Sequence, residues 1–205
     1  MSEIEDLYHE IKSPSEALFK DRGSKFIAKA YPVFSENEVK EVLDNLRKEY
    51  YDARHHCYSY ILGPDKKKFR INDDGEPSGS AGKPIHGQLL SHDLTNILVV
   101  VIRYFGGTKL GIPGLINAYR TATKEAIANT KILSKTVNDI YSIDFEYPMM
   151  QTVMRFVKNE NVKQLLTKFE ISCYIEISVR KNDSEMIFDK LKAIYGLKTK
   201  FLREE

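Results

Sequence analysis

The sequence predicts an α+β protein of two domains, residues 1–133 and 134–205. Three observations lead there. The stretch Asn96 to Arg120 runs strand, glycine turn, helix. A polar break follows at Lys131 to Lys135. Beyond it the chain carries its own full succession of strand, helix, two strands, helix and strand. A length of 205 residues is enough for two modest domains.

The first domain is organised around NILVVVIRYFGGTKLGIPGLINAYR. Ile97 to Ile102 is an unbroken apolar run, long enough for one buried strand and too short to span a membrane. Gly106, Gly107, Gly111 and Gly114 follow, with Lys109 among them. Leu115, Ile116, Tyr119, Ala122 and Ala126 then fall near one helical face. A strand, a glycine turn and a helix N-terminus in that order suit an anion, because the first helical turn offers free N–H groups and glycine lets the backbone approach. A tight strand-to-helix connection explains the same glycines, and Pro113 suits a first helical turn in either case. The spacing matches neither phosphate-binding glycine motif.

The other elements follow in order. Residues 1–23 show no clear pattern. Ser24 to Val33 alternates Phe26, Ala28 and Ala30 with Lys25, Ile27 and Lys29, as a strand does. Ser35 and Glu38 form a capping box, and Val39, Val42, Leu43 and Leu46 continue it as a helix ending near Tyr50. His56 to Leu62 reads as a strand, with Lys66 to Ile71 as its hairpin partner. NDDGEPSGSAGK, residues 72–83, is the longest run of turn-formers. A short helix is expected at 85–94 and a long one at 113–129. In the second domain the expected elements are strand 136–147, helix 149–158, strands 162–169 and 171–180, a helix from Asp183 to Tyr195 stopped by Gly196, and strand 197–202. The order βαββαβ is the ferredoxin-like arrangement.

Composition narrows the function classes. The formal charge is +2, and residues 1–133 and 134–205 each carry one net positive charge, so the composition does not suggest a wholesale basic coat for nucleic acid and any basic patch must arise locally. Cys57 and Cys173 lie far apart without a CxxC pair, as expected of buried thiols in a reducing compartment. The acidic N-terminus lacks a signal-peptide layout, and no run reaches transmembrane length. The expectation is a cytoplasmic protein with no membrane partner.

Several residues carry chemistry. Asp73, Asp74 and Glu76 offer carboxylates for general-base work, and Asp73 and Asp74 for Mg2+; turn chemistry explains the same residues. His56 is an acid–base candidate; its neighbour His55 points to the opposite face, so the two cannot chelate side by side. Arg103 closes the central strand at the edge where open sheets place ligands. With Lys109 and Arg120 it forms an expected basic cluster, to which Gly106, Gly107, Gly111 and Lys83 contribute backbone and charge. The competing reading pairs Arg103 with Asp73, Asp74 or Glu76 as an internal clamp. Tyr104 and Phe105 suit base stacking or core packing. Ser78 and Ser80 match no nucleophile motif.

Three segments, HHCYSYILG at 55–63, DDGEPSGSAGKPI at 73–85 and VVVIRYFGGTKLGIPGLINAYRTA at 99–122, together resemble the YigZ/IMPACT family. The likeness covers about the first 130 residues, with the bacterial two-domain layout over nearly the whole chain. Two positions depart from the family pattern: its GTGGL turn reads GIPGL here, and the arginine after the leucine pair is Asn117. The resemblance implies a first domain built as a two-layer α/β unit like the second domain of a small-subunit ribosomal protein. It implies a second domain similar to a C-terminal domain of elongation factor G. Its eukaryotic relatives are translation regulators. The implied function is a non-catalytic regulatory protein binding RNA, the ribosome or a translation factor, with no cofactor. A metal-assisted hydrolase or transferase acting on a phosphorylated substrate through the DDGEP loop and Mg2+ is the alternative, and a peptidase a further one.

Overall fold

The computed structural model describes residues 6–169 and 172–205. Met1 to Glu5, and Ile171 at which the sequence pattern starts a strand, lie outside the described residues. The elements are β1 (Leu7–Ile11), β2 (Ser15–Asp21), β3 (Ser24–Pro32), α1 (Glu36–Glu49), β4 (His55–Leu62), β5 (Lys68–Asn72), α2 (Gly82–Ser91), β6 (Ile97–Tyr104), α3 (Gly111–Ala128), β7 (Ile132–Thr136), β8 (Asn138–Glu146), α4 (Met150–Asn159), β9 (Lys163–Phe169), β10 (Ser172–Arg180), α5 (Ser184–Lys192) and β11 (Lys198–Glu204). They form two compact units. One holds residues 8–135; the other holds 136–205 with Asp6 and Leu7.

The first unit is built on an antiparallel five-stranded sheet of order β2-β3-β6-β4-β5. Strand β6 is central, and all of Ile97 to Ile102 is fully buried. A strand apolar on both faces needs cover on both faces. Ile97, Val99 and Val101 pack with Ile85 and Leu89 of α2 and Ala118, Tyr119 and Ala122 of α3. Leu98, Val100 and Ile102 pack with Val39, Leu43 and Leu46 of α1. Helix α1 thus adds a layer to the two expected from sequence. Its capping box forms, with Ser35 Oγ accepting the Glu38 N–H at 3.2 Å; the Glu38 carboxylate takes the Phe34 N–H at 2.9 Å, one residue before the usual partner. Strands β1 and β7 pair as a separate ribbon.

Strand β2 was hidden in the patternless first 23 residues. It is an edge strand whose Ala17 and Phe19 pack on the core while Glu16, Leu18 and Lys20 face outward. Its hairpin to β3 turns on Arg22 and Gly23, with φ of 44° and 81°. Two consecutive positive φ values are what a two-residue hairpin of native twist requires.

In the second unit the antiparallel sheet has the order β11-β8-β10-β9. Numbered within the unit this is fourth, first, third, second, the ferredoxin-like order. Ile143, Cys173, Ile175 and Ile177 meet Val153 of α4 and Leu191 of α5 in its core. The expected cap of α5 differs: Asp183 makes no side-chain capping bond and closes a short 3-10 turn, while the Ser184 hydroxyl donates to Asp139 Oδ2 at 2.5 Å.

Candidate functional site

The site lies where β6 ends. Beyond Tyr104 the chain must leave the sheet and enter α3 within a few residues. Gly106 lies against the β2–β3 turn, and its N–H donates to Ser24 Oγ at 3.1 Å. Gly107 and Gly111 take φ of 86° and 72°. Helix α3 then starts at Gly111 with Pro113 in its first turn and no side-chain cap, so its first N–H groups and the positive end of its dipole are left to other partners.

The acidic loop is folded by its own carboxylates. Asp73 accepts N–H bonds from Gly79 at 2.8 Å, Ala81 at 3.0 Å and Gly82 at 2.8 Å, and so closes the N-terminus of α2 from outside the helix. Asp74, at φ 40°, accepts the His56 N–H at 2.6 Å, and its carbonyl accepts the His55 Nδ1–H at 2.8 Å. These bonds turn the loop so that Glu76 points inward. Glu76 Oε1 accepts from Arg103 Nη1 at 2.6 Å and from the Tyr119 hydroxyl at 2.8 Å. The two charged side chains are only 8% and 3% exposed. The Arg103 guanidinium carbon lies 5.4 Å from the Phe26 ring and 5.7 Å from that of Phe105, and Arg103 Nε has no hydrogen-bond partner. Cys57 Sγ lies 3.3 Å from the Tyr119 hydroxyl and 3.0 Å from the Asp73 carbonyl. Burial, aided by the nearby carboxylates, pushes the Cys57 thiol up, and burial with Cys57 and Glu76 beside it pushes the Tyr119 phenol up. Both stay neutral at physiological pH and are poor nucleophiles.

Above this ion pair opens a cleft of about 660 Å³. Its walls are Tyr104, Phe105, Leu110, Ile112 and Leu115, and exposed Arg54 and Lys109 stand among its lining residues. Asp52, also in the lining, accepts the Tyr104 hydroxyl at 2.6 Å; this bond, with some desolvation, pushes the phenol up to about 12.

The Impact N-terminal domain family matches residues 22–127. The chain belongs to the IMPACT family. Every residue of the cleft falls inside the matched stretch. Over 140 residues this IMPACT-family chain is 34% identical to the IMPACT family member YvyE of Bacillus subtilis, a match spanning 68% of this chain and 64% of that protein. Over 137 residues it is 34% identical to the IMPACT family member YigZ of Escherichia coli, spanning 66% and 67%. A crystal structure of a hypothetical protein superposes with a TM-score of 0.69 at 25% identity, covering 98% of this chain and all of the other.

The residues singled out in sequence do not all meet. In this IMPACT-family protein Arg103, Lys109 and Gly111 share the cleft, Arg103 as half of the internal clamp with Glu76. Gly106 and Gly107 shape the turn leading to it. Arg120 is not part of the cluster: it is exposed on α3 and lines a separate depression with Lys83. Asp73 and Asp74 spend their carboxylates on backbone N–H groups, and among the described residues no three His, Cys, Asp or Glu side chains are grouped to hold a metal. Arg54 and Asp52 were missed, since they sit in the irregular turn before β4, where no periodicity marks them.

His56 lies on the α1 side of the sheet, 5% exposed, with Nε2 unpartnered. Loss of water lowers its pKa, partly offset by the Asp74 carboxylate. The unfolded chain therefore binds a proton more readily than the folded one, and stability falls as pH drops through the unfolded value of about 6.5. Urea melts between pH 7.5 and 5.5 should show that loss, and His56→Phe should reduce it. An equal pH slope in the variant would remove His56 as its source.

Proposed function

We propose that this IMPACT-family protein is a non-catalytic regulatory protein linked to translation, and that its cleft holds RNA. The observation that carries the reading is a cleft with exposed cations and apolar walls, set at an uncapped helix N-terminus. Arg54, Lys109 and the first turn of α3 favour phosphate. Phe105, 57% exposed, offers a ring on which a base can stack. Catalysis is disfavoured by how the acidic loop is used. Asp73 and Asp74 hold backbone, Glu76 holds Arg103 and Tyr119, and the Cys57 thiol is kept protonated, so the loop's carboxylates and this thiol are committed to the fold. The translation side of the reading comes from the family resemblance drawn on the sequence, and no resident cofactor enters it. Both cysteines are free and buried, in keeping with a reducing cytoplasmic setting.

The test is fluorescence anisotropy with a single-stranded oligoribonucleotide at low salt. Binding should weaken steeply as salt rises, and Lys109→Ala with Arg54→Ala should flatten the log–log salt slope by about 1.4. Both side chains are exposed, so the melting temperature should hold. No binding at low salt, or an unchanged slope, overturns the RNA reading and leaves an acidic protein surface as the partner to pursue.

A further inference from the structure

We infer that the depression between α2 and α3 is a second phosphate-contact site, over which a single RNA strand continues from the cleft. This rests on the RNA reading of the cleft and extends it. The depression, about 420 Å³, is lined by Lys83, Gly87 and Gln88 from α2, Ile116 and Arg120 from α3, and Gly79 and Pro84. No carboxylate lines it, and among the described residues neither Lys83 nor Arg120 forms an ion pair. Both side chains are exposed. Their charges are thus left for something outside the unit, whereas Arg103 is consumed by Glu76.

The two hollows are joined by one face of one helix. Ile112 lines the cleft; Ile116 and Arg120 line the depression. These residues are spaced four apart, so they form a single slowly turning stripe. From Ile112 to Arg120 the helix rises about 12 Å, a short distance for a strand that repeats its charge at every nucleotide. Gly87 on the opposite side faces open space, where a built Cβ would meet no atom within 4 Å. The Gln88 amide adds a donor. An extended polyanion fits this arrangement better than a compact anion does, because the cations are spread along a line and do not converge on a point.

The experiment compares two probes, a trinucleotide and a dodecanucleotide of uridine, with the full chain, Lys83→Ala/Arg120→Ala and Lys109→Ala. The double variant should weaken the dodecamer and flatten its log–log salt slope by about 1.4, two phosphates at single-strand values. It should leave the trinucleotide as in the parent. Lys109→Ala should weaken both probes. If the double variant binds the dodecamer with an unchanged slope while Lys109→Ala still weakens it, the second site is overturned and the cleft stands. Equal weakening of both probes by the double variant also overturns it, since the depression would then not extend the track. Absence of binding to either probe removes the cleft and the depression together.

Discussion

Replacing Glu76 with alanine is expected to destabilise the first unit by roughly 3–5 kcal/mol, the cost of stranding one partner of a buried ion pair. Arg103 cannot shed its proton, and its side chain is 8% exposed with Nε already unpartnered. Removing Glu76 takes away the acceptor of Arg103 Nη1 and that of the Tyr119 hydroxyl at once. Urea denaturation of Glu76→Ala reads the loss directly. Pairing it with Arg103→Met separates charge from shape. If the stranded charge is the cause, Glu76→Leu/Arg103→Met should recover most of the stability, because an apolar pair of similar volume carries no desolvation cost. A loss below about 1 kcal/mol in Glu76→Ala would mean that the guanidinium finds water through the cleft, and the clamp would then be a surface pair.

That clamp shows how far the sequence could be read. From sequence Arg103 suits either a ligand contact or the partner of an acidic-loop carboxylate, and the structure pairs it with Glu76. The choice among Asp73, Asp74 and Glu76 was beyond any local rule. Asp73 closes a helix whose N–H groups lie up to nine residues ahead, and Asp74 reaches back to His56. Such bonds depend on the path of the whole loop, and no fixed spacing encodes them. The central strand was legible because six consecutive apolar residues have no other stable place. The ferredoxin-like unit was legible because each of its elements carried its own period.

Arg120 is a different kind of miss. The helical period that put Tyr119 on the buried face also turns the next residue about 100° away. Tyr119 is fully buried and Arg120 exposed, so the expected cluster with Arg103 conflicted with a pattern already in hand. Nearness in sequence to a glycine turn suggests one basic cluster, where the helix geometry separates its members. What emerged instead is a clamp beneath the cleft, exposed cations beside it, and a second pair of cations around the helix.

Gly106→Ala is expected to be the most damaging single-methyl change in the turn, costing about 4 kcal/mol or more if the loop cannot move. An alanine Cβ there would sit 1.9 Å from the Gly23 carbonyl carbon, 2.1 Å from the Ser24 nitrogen and 2.4 Å from the Gly23 oxygen. All three are backbone atoms of the β2–β3 hairpin, so no rotamer change relieves the clash. Either the hairpin separates from the turn, or the turn lifts and carries Phe105 and Lys109 away from their places in the cleft. Gly107 next door makes the control. It is exposed at φ 86°, and a Cβ there meets no atom within 4 Å, so Gly107→Ala bears only the left-handed backbone cost of about 1–2 kcal/mol. Thermal melts and RNA anisotropy on the two variants should diverge: large losses of both stability and affinity at position 106, modest loss of stability and near-parent affinity at 107. The same contrast separates packing from ligand approach. If Gly107→Ala abolishes binding while Gly106→Ala folds and binds normally, the glycines serve the ligand directly, and the close contact with the hairpin has no part in shaping the cleft.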